Sequence, residues 1–432
     1  MVTGNNHPSS NTKPRLFYGY VIVIAACFIM IVSWSVYNAF GVFFKPLLND
    51  FGWTRAMTSG AFSLSMIVYG VLGIVVGGLN DKIGPRLVLT LCGILLGAGY
   101  LLMSQVNDLW QIYLFYGIMI GVGMSGVWVP QLSTIARWFI KRRTLMTGIV
   151  LAGASIGQLI GPPIASRLII AYDWRQSYII LGSVVLLAMV LAAQFLRRDP
   201  TTIGQQPYGD LLVKQPGLSS FSEAYTLKEA ACTSQFWIAF SIFACFGFGA
   251  FTITVHIVPH AIELGIAATS AANILATRGG ISILGNYVLG NAADRIGNRK
   301  IFIIGFVLMA AALLWLSIST ELWMLYLFIL FFSFASGGMG ASESPLVAGL
   351  FGLKSHGLIY GVVHLGFTVG AAAGPVLTGY VFDVSGSYQA AFLASAALCI
   401  VGIILAATLR PIKVKQTRGY NLSESTSNRL KS

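Results

Sequence analysis

The sequence predicts an all-α membrane protein in which twelve transmembrane helices form two pseudo-symmetric six-helix bundles. The composition points to a membrane, because 56% of the residues are hydrophobic and 9% are charged, whereas soluble domains have about 25% charged residues. Twelve apolar segments follow one another, each close to the length of about 20 residues that crosses a bilayer as a helix. Two motifs recur at one common offset and relate the two halves of the chain.

The apolar segments set the predicted domain boundaries. A polar N-terminal tail (1–15) precedes an N-terminal bundle (16–196), a cytoplasmic linker (197–235) with several Pro and Gly residues, a C-terminal bundle (236–410) and a C-terminal tail (411–432). The twelve predicted spans cover residues 18–44, 58–79, 87–104, 111–136, 144–170, 177–196, 236–262, 270–293, 301–318, 322–350, 357–382 and 388–409.

The basic residues are distributed unevenly between the two sides of these spans. Of the 27 Lys and Arg residues, four fall in the predicted outer loops or at their edges, and most of the others fall in the tails, the linker and the inner loops. The four are Lys45, Arg55, Arg167 and Arg175. This bias predicts that both termini are cytoplasmic. The net charge of +13 is therefore a topology signal, and we expect a lipid bilayer rather than nucleic acid as the partner.

No pattern typical of an enzyme is present in the sequence. The five cysteines lie in or beside apolar spans, at spacings that match neither a disulfide framework nor a metal site. There is no G-x4-G-K-[ST] loop for binding nucleotide phosphates. We therefore predict no catalytic residues, no cofactor and no metal.

Two charged, glycine-containing turns stand 213 residues apart, at residues 77–86 and 290–299. An Asp at such a turn can cap a helix N-terminus or pair with a basic residue of a neighbouring helix. The repetition predicts a conformational latch on the cytoplasmic side, although a plain basic loop is the alternative. The candidate latch residues are Asp81, Lys82, Arg86, Asp294, Arg295 and Arg299.

A glycine–proline pattern repeats at the same offset in the fifth and eleventh spans. Its members are Gly148, Gly157, Gly161 and Pro162, followed by Gly361, Gly370, Gly374 and Pro375. Small residues let membrane helices approach closely, and proline can bend them. We expect both helices to pack tightly near the interface between the halves. Parallel six-helix repeats are typical of transporters with a substrate site near the midplane.

Both motifs make residues 16–410 resemble the major facilitator superfamily of transporters. The turn resembles the superfamily's G-x3-D-[RK]-x-G-x-[RK] motif. The fifth span resembles its G-x8-G-x3-G-P-x2-G-G motif, with Ala165 and Ser166 in place of the final glycines. The resemblance implies the major facilitator fold and transport by alternating access.

Four stretches carry a narrower resemblance, to the monocarboxylate porter and oxalate/formate antiporter families. They are residues 37–44 with 51–55, 137–139 with 142–143, 255–261 with 264–266, and 382–383 with 386–388. This resemblance implies small organic anions such as lactate, pyruvate, formate or oxalate. It also implies proton-coupled symport or anion exchange.

Apart from Arg167, which lies at the outer end of the fifth span, Arg278 is the one Lys or Arg that falls inside a predicted span. A cation there costs roughly 2.5–3.5 kcal/mol or more, so it should face a cavity and bind an anion. In the related families the carboxylate-binding Arg of helix eight directly follows a Gly, whereas Gly285 is followed here by Asn286. Arg278 stands eight residues earlier, about 12 Å along the helix and about 80° around it. It is the predicted anchor, and an entrance charge or a side chain snorkelling to the outer interface are the alternatives.

Other polar residues inside the spans are candidates for the site. Glu343 either carries a proton or pairs with a cation such as Lys354, and His256 is a second proton-coupling candidate. The histidines and aromatic residues can instead be packing residues or interface anchors. The full set of substrate-binding candidates is Arg278, Asn273, Asn286, Tyr37, Asn38, Tyr116, His256 and His364.

These observations predict a secondary transporter of a small organic anion. The first choice is a monocarboxylate of the lactate or pyruvate type, moved with protons by alternating access. The alternatives are an oxalate/formate-type exchanger, an efflux carrier of drugs or cations, and a non-transporting sensor on a transporter fold. The short central loop favours a bacterial inner membrane, and we expect a monomer.

Overall fold

The computed structural model describes residues 17–53, 55–209 and 225–410. The predicted tails, residues 1–15 and 411–432, lie outside the described residues. Within the described part the chain is almost entirely helical, with one isolated bridge between Phe139 and Tyr208. The predicted all-α fold class is confirmed.

Each predicted span corresponds to one long helix or to a run of shorter ones. In the N-terminal bundle, spans one to six are Gly19–Asn38 with Phe40–Phe51; Arg55–Ile83; Pro85–Met103; Leu109–Ile112, the π-helical Tyr113–Ile120, Gly121–Ser125 and Val129–Trp138; Arg143–Tyr172; and Trp174–Ala193. In the C-terminal bundle, spans seven to twelve are Ser234–Glu263, Ala268–Ile296, Asn298–Leu316, Leu322–Phe351, His356–Ser385 and Gln389–Thr408. The linker adds the 3₁₀ turn Pro200–Ile203 and the helix Leu227–Ala231.

Eleven of these spans are long and apolar enough to cross a membrane, judged over the described residues. The eighth, Ala268–Ile296, is not among them. Its length is sufficient, but Arg278, Asn273 and Asn286 lower its hydropathy. The least apolar span therefore carries three of the predicted site residues.

Two equivalent glycines end the second and eighth spans. Gly84 has φ +87° and Gly297 has φ +96°, a region that side chains with a Cβ avoid. Each allows the chain to turn sharply into the next helix, which begins at Pro85 in one half and at Asn298 in the other. The sharp turns keep the preceding aspartates, Asp81 and Asp294, at the ends of their helices.

The glycine pattern of the fifth span brings its backbone against the first. A Cβ on Gly157 would lie 2.5 Å from the carbonyl oxygen of Ile31, and a Cβ on Gly161 would meet Ser35. The equivalent Gly374 of the eleventh span lies against the backbone of Phe248 in the seventh. Most of the pattern therefore joins helices within one half.

The first glycine of each pattern lies at the interface between the halves. A Cβ on Gly148 would lie 2.3 Å from the carbonyl oxygen of Asn286, in the eighth span. A Cβ on Gly361 would lie 2.9 Å from the Cα of Ile74, in the second span. The two halves thus meet through spans five and eight on one side and through spans two and eleven on the other.

Since twelve spans alternate in direction, the first span begins and the twelfth ends at the same end of the molecule. We call this the basic end, because the linker and most of the basic turns lie there. A capping box begins the linker helix Leu227–Ala231, where Thr226 and Glu229 bond to each other. The Thr226 backbone N–H donates to the Glu229 carboxylate and holds its pKa below the usual range.

Candidate transport site and gate

Asp81 binds a helix of the opposite half. Its carboxylate accepts the backbone N–H groups of Gly357 (3.1 Å) and Leu358 (3.0 Å), at the N-terminus of the eleventh span. These N–H groups have no partner inside their own helix, and the helix dipole places positive charge there. Asp81 therefore ties the end of the second span to the start of the eleventh.

Asp294 makes the equivalent contact in the other direction. Its two oxygens accept the backbone N–H groups of Thr144 and Leu145, each at 2.9 Å, at the N-terminus of the fifth span. Thr144 and Leu145 stand 213 residues before Gly357 and Leu358, the same offset that separates the two aspartates. The contact is thus a pseudo-symmetric pair that closes the molecule at its basic end.

A buried ion pair distinguishes the Asp81 contact from the Asp294 contact. Arg137, at the end of the fourth span, pairs with Asp81 at 2.8 Å and with Asp199 at 3.4 Å. Arg137 belongs to residues 137–139, one of the four stretches that resemble the monocarboxylate porter and oxalate/formate antiporter families. That resemblance is the one sequence signal at Arg137, and it predicts no role for the residue in closing the basic end.

The other predicted latch residues lie outside these crossing contacts. Lys82 and Arg295 are exposed. Arg86 donates to Gln194 of the sixth span, and Arg299 donates to backbone carbonyls near the end of the twelfth. Each of these two arginines thus binds within its own half, and the aspartates supply the crossing hydrogen bonds.

Glu343 is buried in the tenth span, and one of its oxygens is hydrogen-bonded to two side chains. Tyr360 donates its hydroxyl to Oε2 at 3.0 Å, and His364 Nδ1 lies 2.9 Å from the same atom. Both partners belong to the eleventh span. The partners found for this carboxylate are thus Tyr360 and His364 rather than Lys354, which is exposed eleven residues along the chain.

The N-terminal half reaches this group through Trp128. Its indole Nε1–H donates to the Tyr360 hydroxyl at 3.1 Å, and its ring stacks near that of His364 at 5.8 Å. Counted along the helices, Tyr360 and Glu343 lie about 6 and 12 Å from the basic ends of their spans. A second crossing bond lies near the basic end, where Ser344 donates to the Leu132 carbonyl while also contacting His356.

Arg278 lies elsewhere, about 15 Å along its helix from the end opposite to the basic end. It is partly buried, and Nη1 donates to the hydroxyl of Thr254 in the seventh span at 2.5 Å. Among the described residues no carboxylate forms an ion pair with it. Its guanidinium therefore keeps most of its donors and its full charge for another partner.

The remaining predicted site residues are dispersed. His256 bonds Pro375 and Tyr388 through its two ring nitrogens, Tyr37 contacts Ser65, and Tyr116 donates to the Tyr37 carbonyl. Asn38 bonds Trp34 of its own helix, Asn273 is exposed, and Asn286 is buried against Gly148. The structure thus brings Glu343 together with His364 and Tyr37 together with Tyr116, whereas Arg278 and His256 stand apart from both pairs. Trp128 and Tyr360 were not predicted, because neither belongs to a repeated motif.

This arrangement separates a cation that can hold an anion from a carboxylate that can hold a proton. The Glu343 carboxylate is linked through Tyr360 to Trp128 of the opposite half. The basic end is closed by the contacts of Asp81 and Asp294. A site of this kind can couple an ion to the relative movement of two bundles.

The chain is similar to known transporters along most of its length. The statistical model of the Major Facilitator Superfamily matches residues 23–272 and 257–431. Human monocarboxylate transporter 7 is 24% identical over 94% of this chain and 89% of its own. Human monocarboxylate transporter 11 is 28% identical over 91% of this chain and 83% of its own.

Solved structures show the same fold. A crystal structure of the major facilitator superfamily transporter FucP in the outward conformation covers 91% of this chain and all of its own, with a TM-score of 0.70 and 17% identity. The human organic anion transporter MFSD10 covers the same shares with a TM-score of 0.66 and 16% identity.

Proposed function

The chain belongs to the major facilitator superfamily and is a membrane transporter, and on this premise we propose that it carries a small organic anion together with protons. The proposed cargo is a monocarboxylate of the lactate or pyruvate type. Its support is the chain's similarity to proteins named monocarboxylate transporters. The proposal is for a monomer in a bacterial inner membrane.

Arg278 supports an anionic cargo. It is a partly buried cation that donates to a neutral hydroxyl and forms no ion pair among the described residues, so it needs an anion to offset its desolvation. A guanidinium presents two parallel N–H donors that fit the two oxygens of one carboxylate. Arg278 is therefore the proposed substrate anchor.

Glu343 is the proposed proton carrier. Its burial makes the carboxylate costly to keep charged unless its hydrogen bonds compensate, and it has two of them. His364 shares the proton with Glu343 as its direct partner, so we assign the coupling to this pair rather than to His256.

Transport proceeds by alternate opening of the two ends of the molecule. We propose that the basic end faces the cytoplasm, as the distribution of Lys and Arg favours. In the closed arrangement Asp81 and Asp294 hold that end shut. Once substrate and proton have neutralised Arg278 and Glu343, those contacts exchange for water and the cargo leaves.

The test is uptake of radiolabelled lactate, pyruvate, formate and oxalate into proteoliposomes, with and without an inward proton gradient. We expect the gradient to stimulate uptake of a monocarboxylate. We expect Arg278→Lys to lower uptake about 10-fold or more, since an ammonium lacks the fork that binds two oxygens. Arg167→Lys, at an exposed site of the fifth span, is the matched control and should leave uptake unchanged.

Other outcomes would contradict parts of this proposal. Wild-type uptake by the Arg278→Lys variant would remove the anchor role. Uptake that requires an internal anion and ignores the proton gradient would identify an exchanger of the oxalate/formate type. A protein that moves none of the anions would contradict the choice of cargo and leave a sensor or a carrier of another substrate.

A further inference from the structure

Trp128 is placed to connect the proton-binding pair with the opposite half of the molecule. Its indole N–H donates to Tyr360, and its ring stacks near His364. Tyr360 and His364 are the two side chains that bind Glu343. Trp128, in the N-terminal half, therefore contacts both hydrogen-bond partners of Glu343 in the C-terminal half.

The strength of the hydrogen bonds from Trp128 to Tyr360 and from Tyr360 to Glu343 depends on the charge of Glu343. The Tyr360 hydroxyl has one proton, and while it is donated to Oε2 the phenolic lone pairs remain available to the Trp128 N–H. An ionised carboxylate holds that proton in a charge-assisted bond, about twice as strong as a neutral one. When Glu343 takes up a proton, this bond weakens and the hydroxyl can rotate away from the orientation that accepts from Trp128.

We propose that Trp128 is a positioning residue that makes closure of the basic end depend on the protonation of Glu343, with Tyr360 as the link between them. This rests on the proposed function, in which Glu343 carries the proton. With Glu343 ionised, the chain from Trp128 to Tyr360 to Glu343 holds the halves together. A proton arriving from the opposite end releases Tyr360, weakens the crossing bond and favours opening, after which the proton leaves to water at the basic end.

The groups that face Glu343 are few among the described residues. Tyr360 and His364 approach from the eleventh span, and Tyr69 of the second span is close enough for an electrostatic interaction. His364 Nδ1 bonds the same oxygen as Tyr360, so the proton is shared by the pair. The expected effect of protonating this pair is opening of the basic end.

The experiment measures closure directly and needs no substrate. Spin labels are placed at Lys141→Cys and Lys300→Cys, which are exposed at the basic end of opposite halves, after the five native cysteines are changed to alanine. Distances between the labels are recorded at pH 8 and at pH 5.5. In this background we expect short distances at pH 8 and a larger open fraction at pH 5.5.

Three variants test the link. Trp128→Phe removes the donor and Tyr360→Phe removes the hydroxyl, while both keep an aromatic ring. Each should raise the ratio of open to closed molecules at pH 8 by about tenfold, the scale of one lost hydrogen bond, and should reduce the pH response. The double variant should match the single variants, because all three break the same chain. Trp110→Phe, on the exposed face of the fourth span, should behave as the background does.

Two results would overturn the inference. One is a Trp128→Phe variant that keeps the full pH response of the background. The other is a double variant whose shift is the sum of the two single shifts, which would mean that the residues act independently. Because no cargo is added, failure to transport any carboxylate would count against the proposed function and leave this result unaffected.

Discussion

The two crossing aspartates differ in their charge environment, and this difference can be measured. Asp81 binds two backbone N–H groups and also forms an ion pair with the buried Arg137. Asp294 binds two backbone N–H groups and interacts with Arg143 through longer-range electrostatics. Breaking a buried ion pair costs about 3–5 kcal/mol because a charge is left uncompensated. Hydrogen bonds to a charged group contribute about 1.5–3 kcal/mol.

We therefore predict that Asp81→Asn opens the basic end more than Asp294→Asn does. The readout is the open fraction reported by the spin-label pair at Lys141→Cys and Lys300→Cys. Glu321→Gln, an exposed carboxylate at the opposite end, is the control and should have no effect. Equal shifts for the two asparagine variants would mean that Arg137, which also contacts Asp199, contributes nothing to closure.

The proton-carrier role of Glu343 has its own consequence. Glu343→Gln keeps the shape and an acceptor oxygen for Tyr360 but cannot release a proton. We expect the variant to lose stimulation of uptake by a proton gradient while it retains exchange of labelled for unlabelled substrate across the membrane. Gradient-driven uptake at the wild-type rate would rule out Glu343 as the carrier.

At the residue scale the sequence points to charges but not to their partners. Asp81, Asp294, Arg278 and Glu343 stand out because a charge inside or beside an apolar span is unusual. The partners of Glu343 could not be predicted, since they lie on another helix and their distance depends on how two spans pack. Trp128 has no sequence signal of this kind, because a Trp in an apolar span is ordinary.

Among the elements, the repeated glycines set how closely the spans approach. A Cβ on Gly370 would lie within 2 Å of the Ala244 carbonyl oxygen in the seventh span, so a substitution must push the two helices apart. Overpacking of this kind costs about 1–3 kcal/mol. We predict that Gly370→Ala lowers the thermal unfolding midpoint of the purified protein in detergent.

Gly349 provides a matched control for that substitution. It lies inside the helix Leu322–Phe351, and a Cβ there would meet nothing within 4 Å. Since alanine favours a helix over glycine by up to about 1 kcal/mol, Gly349→Ala should leave the midpoint unchanged or raise it. A Gly370→Ala protein as stable as the Gly349→Ala protein would show that the seventh and eleventh spans can separate without cost.

Element boundaries were predictable only in part. The apolar segments located the spans, but the helix Arg55–Ile83 extends past the predicted span 58–79 at both ends. It extends because the adjoining residues are compatible with a helix although they are less apolar. The break at Ala39 and the π-helical Tyr113–Ile120 depend on tertiary packing and carry no distinct residue pattern.

For the whole molecule, the 213-residue repeat was the most informative feature of the sequence. It relates the aspartates, their turns and the glycine patterns of the two halves from the sequence alone. The repeat also has limits, because the molecule uses its asymmetric positions for chemistry. Position 350, which corresponds to Arg137, is Leu350, and Trp128, whose equivalent position is Ala341, reaches across the interface without a counterpart. The asymmetric contacts therefore had to come from the structure.

If alternating access requires the basic end to open, a covalent bond across that end must stop transport. A Cβ on Gly78 of the second span would lie 3.8 Å from the Cβ of Leu358 in the eleventh, the usual spacing in a disulfide. In a background without native cysteines, we predict that the pair Gly78→Cys and Leu358→Cys loses nearly all uptake on oxidation and regains it with dithiothreitol. The control joins Gly117→Cys to Leu64→Cys, where the corresponding distance is 3.3 Å within one half, so oxidation should leave the halves free to move. Undiminished uptake by the oxidised crossing pair would mean that cargo passes without separation of these helices, which would contradict the closed basic end as a gate.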